Sequence, residues 1–184
     1  MHTRIERDFC FQAGLYFEHK FHVNVYDITV SMLVETDSIK EQNIAMERAI
    51  HFLSESISNS VFVSSANSDI IKKYENVDLR VCELPQEPYD QIIAMVVLLK
   101  LNSIMENRLK ITDLVIGSSL SDGVRFNIVS EVAESTFSGK HWWNSSCLAI
   151  TNHRTDGIDQ DKVIKLFNDD WTGLGLSWRE TVKN

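Results

Sequence analysis

Only two prolines and seven glycines punctuate these 184 residues. Long segments can therefore run as regular strand or helix, because proline and glycine are the strongest local breakers. Cysteine is scarce as well. Cys10, Cys82 and Cys147 are odd in number, far apart and without C-x-x-C spacing, which excludes a disulfide framework and a zinc ribbon. Cys10, in Phe9-Cys-Phe11, and Cys82, in Val81-Cys-Glu83, read as small buried hydrophobes. Positive charge is short: 18 Lys and Arg face 26 Asp and Glu, for a net charge of −8. That argues against a broad nucleic-acid or anionic-membrane footprint, which needs clustered cations. The longest apolar stretch, within 92–105, is too short to span a bilayer, and residues 1–8 are charged and lack the apolar core of a secretory leader. A soluble, acidic, cytoplasmic protein is the expectation.

Chemical motifs are missing too. No Gly-x-Ser-x-Gly elbow occurs, no cysteine has a histidine close in sequence, and Gly173-Leu-Gly175 is followed by no third glycine and opens no helix. The expectation is therefore no catalytic residue set, no metal and no cofactor.

Periodicity is present in abundance. Residues 9–17 read as a short strand. Phe21, Val23 and Val25 alternate with polar residues, and Ile28, Val30, Met32 and Val34 continue in the opposite phase, which predicts one long strand with a bulge near Asp27. Ser38 and Glu41 form a capping box for a helix with Met46, Ala49, Ile50, Leu53 and Ile57 along one face. Val61–Val63 and Leu79–Leu84 read as strands. Both prolines, Pro85 and Pro88, lie in the joint after the second of these, and an apolar helix follows from Ile92 to Met105. Asp122-Gly123 predicts a hairpin between strands at Ile111–Ser118 and Val124–Val129.

This order predicts an α+β, ferredoxin-like (βαββαβ) two-layer sandwich, with an extra N-terminal strand or hairpin and a C-terminal helical and aromatic extension. Residues 1–150 would form the single domain. Residues 151–184 would supply a linker, a short amphipathic helix at Asp161–Phe167 and a tail docking by Trp171 and Trp178. Ile92 to Leu99 are apolar around the whole helix, so it needs cover on every side. Either the C-terminal segment or a second copy must provide it, and a homo-oligomer through helix 91–106 is the expectation.

Candidate site residues fall into three groups. Glu83, Glu87, Tyr89 and Asp90 gather acids and an aromatic in the proline joint, where they serve either as cap and dipole residues or as a polar-ligand site. Adjacent Trp142 and Trp143 cannot both enter one core from a regular strand, so one is expected at a surface or interface. His19 and His22 are a poor metal pair on a strand, because an odd separation sends them to opposite faces. His51, flanked by Glu47 and Glu55, reads as a solvated helical face, and Asp156, Asp159 and Asp161 as a solvated linker.

His19, His22 and Glu83 invite comparison with tunnelling-fold pterin enzymes. Those combine zinc-binding histidines with a pterin-anchoring glutamate after a strand. Their pattern has His-x-His plus a third histidine, whereas this chain has His-x-x-His, and the resemblance stops there.

Three functions follow in order. The leading expectation is a non-enzymatic interaction or regulatory protein acting through self-association and a partner-binding surface at the Trp pair. The alternative is a small carboxylate- or metal-dependent enzyme with a site near Glu83–Asp90 or His19/His22. The third is a nucleic-acid-binding regulator, against which the charge argues.

Overall fold

In the computed structural model, residues 3–152 and 170–178 are described. Strands β1 (Arg4–Phe17) and β2 (Lys20–Val34) form one long antiparallel hairpin in unbroken register, from Arg4 opposite Leu33 to Phe17 opposite Lys20. The bulge predicted at Asp27 is absent from this pairing; the one irregularity lies between Ser31 and Met32, where β2 meets β5. The phase change in the sequence is instead a change of face. Tyr26, Ile28, Val30 and Met32 are buried under the helices, while Phe21, Val23 and Val25 are exposed on the opposite side of the sheet. Gly14 permits this at the hairpin end, since a Cβ there would lie 2.6 Å from the Phe21 ring. The same alternation puts Cys10 on the exposed face rather than in the core, whereas Cys82 is buried as expected.

Helix α1 (Ile39–His51) starts where the capping box predicts, with Ser38 Oγ accepting the Glu41 N–H at 3.4 Å. It runs on through a π-helical turn at Phe52–Ile57. Strand β3 (Val61–Ser64), helix α2 (Ser68–Glu75) and strand β4 (Val81–Leu84) come next. Helix α3 (Asp90–Met105) follows the proline joint, then β5 (Leu109–Ser118), β6 (Arg125–Val129) and α4 (Ser130–Thr136).

The mixed α+β class is as read from the sequence, but the topology is not the antiparallel ferredoxin-like βαββαβ. One six-stranded sheet has the order β4-β3-β1-β2-β5-β6. From β1 to β6 neighbouring strands are antiparallel, while β3 is parallel to both β1 and β4. The physical reason is α2. An antiparallel β3–β4 pair needs only a turn, but an intervening helix carries the chain back to the starting end and makes the pair parallel. In the sequence, residues 68–75 hold only Ile70, Ile71 and Tyr74 as apolar positions within a polar stretch.

Helix α3 is the centre of the core. Ile92 to Leu101, Ile104 and Met105 are all buried. At about 1.5–3 kcal/mol per Val, Leu or Ile, leaving several in water would cancel a domain's usual 5–15 kcal/mol of stability. The cover is intramolecular: α3 packs against β5, α1, α4, β4, β6 and the 3₁₀ turn Trp142–Asn144. The hydrophobicity that argued for a second copy is thus accounted for within the chain, and α3 presents no uncovered apolar face to one.

Lys100 lies inside this apolar helix with no exposed surface. Its ammonium donates to the carbonyls of Trp142 (2.9 Å), Ser145 (2.8 Å) and Cys147 (2.5 Å), and so pins the loop that crosses α3. One turn further along α3, Arg48 is also buried. Its guanidinium bonds the Leu176 and Ile104 carbonyls and Glu106, 3.8 Å from the Trp178 ring centre and 4.8 Å from that of Trp171. Both tail tryptophans therefore pack on Arg48 of α1. The expected helix at 161–167 and the acidic residues 156–161 lie outside the described residues.

Candidate functional site

Strands β1, β3 and β4 are mutually parallel, so their carboxyl ends (Phe17, Ser64 and Leu84) come to the same edge of the sheet. In open sheets with parallel strands, ligands bind outside such carboxyl ends, where the connecting loops diverge. A cleft of about 280 Å³ lies there, lined by Tyr16, Phe17, Glu18, His19, Asn67, Glu87 and Tyr89. It unites the tip of the β1–β2 hairpin, the loop after β3 and the proline joint.

Each wall has a local cause. Glu18 and His19 form the two-residue hairpin turn, with φ of 50° and 62°. Both angles are left-handed, which a type I′ turn requires and which Asn-Gly would satisfy at less cost. Pro85 and Pro88 keep the joint extended until Tyr89, whose carbonyl accepts the N–H groups of Ile92 and Ile93 and starts α3. Glu87 does not cap that helix. The Asn67 amide donates to its Oε1 at 3.4 Å, leaving Oε2 open to a ligand. The Tyr89 and Phe17 rings meet edge to face, 5.2 Å apart and inclined at 68°.

The structure thus divides the candidates of the proline joint. Glu87 and Tyr89 enter the cleft and are joined there by His19, which the sequence had placed in a separate group. Asp90 turns away: its carboxylate accepts the Ser118 hydroxyl at 2.8 Å, and burial raises its pKa despite that bond. Glu83 is buried on β4, where its carboxylate accepts the Thr151 hydroxyl and the Asn152 N–H, each at 3.1 Å. Its carbonyl accepts the Trp142 indole N–H at 2.8 Å. These bonds fasten residues 150–152 to the edge of the sheet. Behind the joint, the Tyr26 hydroxyl is buried without a hydrogen-bond partner among the described residues, and burial raises its pKa far above the ordinary tyrosine value.

The tryptophan pair offers no partner surface. Trp142 and Trp143 are both buried, because the chain there is a 3₁₀ turn and not a regular strand, and the two rings pack edge to face at 5.5 Å. His22 lies on β2 opposite Leu15 and does not line the cleft. His51 packs edge-on against Trp171. Among the described residues no group of three His, Cys, Asp or Glu stands together to hold a metal, and no helix is long and apolar enough to cross a membrane. Tyr16, Phe17, Glu18 and Asn67 were missed. Glu18-His19 between two alternating runs was the available signal, since a two-residue hairpin fixes which side chains stand at its tip.

No family model matches the sequence, and no curated protein matches it. Solved structures do resemble it. An uncharacterized protein from Wolinella succinogenes aligns with a TM-score of 0.46 and 12% identity, over 70% of this chain and 98% of that one. A 6-pyruvoyl tetrahydropterin synthase from Plasmodium vivax aligns with a TM-score of 0.46 and 10% identity, over 70% and 97%. The Plasmodium falciparum synthase gives 0.41 and 11%, over 69% and 96%. At these identities the likeness assigns this chain neither a family nor a reaction. The leading expectation is corrected by the chain's own geometry, because the apolar helix on which it relied is covered within the chain. With the tryptophan pair buried as well, the non-enzymatic interaction protein is not retained.

Proposed function

We propose that this protein is a small carboxylate-dependent enzyme acting on a small polar molecule in the cleft between the hairpin tip and the proline joint. The observation that carries the reading is the convergence of three parallel strand ends on one cleft whose walls hold a carboxylate, an imidazole, a carboxamide and an aromatic pair. Glu87 is the acid–base group. Asn67 orients one of its oxygens and leaves the other free to take a proton from a ligand. His19, at the mouth, is the second proton carrier, and the Tyr89 and Phe17 rings supply the apolar wall that excludes water from one side. The left-handed backbone at both Glu18 and His19 supports this. Two side chains are kept at positions where local stability favours asparagine and glycine.

A fragment screen read by amide chemical shifts tests the site. Binders are expected to move the signals of Phe17–Lys20, Asn67 and Glu87–Tyr89, and Glu87→Gln is expected to abolish any turnover of a binder while preserving the fold. Binders that cluster elsewhere, or turnover that survives Glu87→Gln, would sink the proposal.

A further inference from the structure

We propose that the cleft selects an organic cation, a quaternary or protonated alkylamine, through its aromatic wall and its two carboxylates. The inference rests on the cleft being the functional site and adds its ligand class. Of the seven lining residues three are aromatic (Tyr16, Phe17, Tyr89) and two are acidic (Glu18, Glu87), and among the described residues no Lys or Arg lines the cleft. Aromatic faces carry the negative part of the ring quadrupole and attract a cation within about 6 Å. The Phe17 and Tyr89 rings are inclined at 68°, so this wall is a corner and not a flat stack. Carboxylates beside such a corner add Coulomb attraction that grows as the ligand displaces water.

The alternatives fare worse on the same residues. An anion would meet two carboxylates with no lysine or arginine among the described lining residues to answer it. A neutral ligand could take the carboxamide and carboxylate hydrogen bonds but would gain nothing from the aromatic corner beyond contact area. Size points the same way: about 280 Å³ is at the small end for ligand pockets, which suits a metabolite-sized amine and not a nucleotide. The chain's net charge of −8 favours the approach of cations over anions.

Choline and 3,3-dimethylbutan-1-ol, in which carbon replaces the quaternary nitrogen, separate charge from shape. In amide-shift titrations choline is expected to move Phe17–Lys20, Asn67 and Glu87–Tyr89, and the neutral isostere to bind at least about tenfold more weakly. Tyr89→Leu is expected to weaken choline about five- to tenfold, whereas Tyr89→Phe, which keeps the π face, leaves it within about twofold. Tyr89 is half exposed, so neither change threatens the fold. Equal binding of both compounds at these amides overturns the cation selection and leaves the cleft as the site. So does choline failing there while neutral fragments still map to it. If neither choline nor any fragment reaches these amides, the functional reading of the cleft falls as well.

Discussion

Removing the buried amine of Lys100 should change how stability depends on pH, and in a direction opposite to the usual alkaline loss. Burial lowers its pKa from 10.5 to about 8, and no carboxylate faces it among the groups that shift it. Cys147 and Cys82, from the crossing loop and from β4, are the titratable groups that act on it, and the rings of Phe52 and Trp142 lie 5.7 and 5.6 Å from the nitrogen. Between about pH 8 and 10.5 the unfolded chain keeps a proton that the folded chain has released, so stability rises with pH over that window. The gap corresponds to at most about 3 kcal/mol. Lys100→Met cannot titrate and loses this rise. Buried Tyr26, with a raised pKa, pulls the other way at alkaline pH but is common to both chains and cancels in the difference; Cys82, also raised, feels the Lys100 charge, so both proteins should carry Cys82→Ala. The Cys147 thiol raises the amine's proton affinity, so both proteins should carry Cys147→Ser; the amine then titrates at or below about 8. Urea unfolding at half-unit steps from pH 7 to 10 gives the difference curve. A stability difference that stays flat across that range, or declines, would refute the reasoning. It would mean that the three carbonyls hold the ammonium charged as firmly as water does.

Two further perturbations test the packing and the hairpin. Trp178→Ala uncovers Arg48 and Arg108, whose guanidinium carbons stand 3.8 and 4.3 Å from its ring centre, and removes the indole bond to Glu106. A loss of about 2–3 kcal/mol in urea unfolding is expected, with Trp178→Phe losing only about 1 kcal/mol; a loss below about 0.5 kcal/mol for the alanine variant would show that the stack adds nothing. Replacing Glu18-His19 by Asn-Gly relieves two left-handed non-glycine residues and should raise stability by about 1 kcal/mol while abolishing ligand binding at the cleft. A drop in thermal midpoint would contradict the backbone argument.

Parts of this fold were legible because their causes are local. The Ser38–Glu41 cap, the start of α3 after two prolines and the Asp122-Gly123 turn each depend on residues within one or two turns of chain, and each lies where the sequence places it. Helix α2 was not legible, since eight residues with two lysines and two acids among them resemble a solvated connection. That omission turned a parallel crossover into a hairpin and gave the wrong sheet. The long β2 shows the opposite failure. Its change of phase was read as a bulge, on the assumption that apolar residues share one face, whereas the exposed Phe21, Val23 and Val25 simply lie on the other side. Lys100 carried a usable signal: a lysine within a helix that is apolar all round has nowhere to go but inward.

For the cleft, Glu87, Tyr89 and His19 could be singled out one at a time, because acids, aromatics and histidines are conspicuous. Their meeting could not. Residue periodicity reports which side of its own element a side chain takes, and nothing in it states which strand will lie beside which. By itself the sequence determined where most strands and helices begin, which helix is buried on all sides, and that charge argues against a polyanionic partner. Only the tertiary structure decided that β3 enters the sheet between β4 and β1, since the β1–β3 pairing joins segments more than forty residues apart and the β3–β4 pairing depends on a helix hidden in a polar stretch. The proline joint faces the hairpin tip for that reason alone.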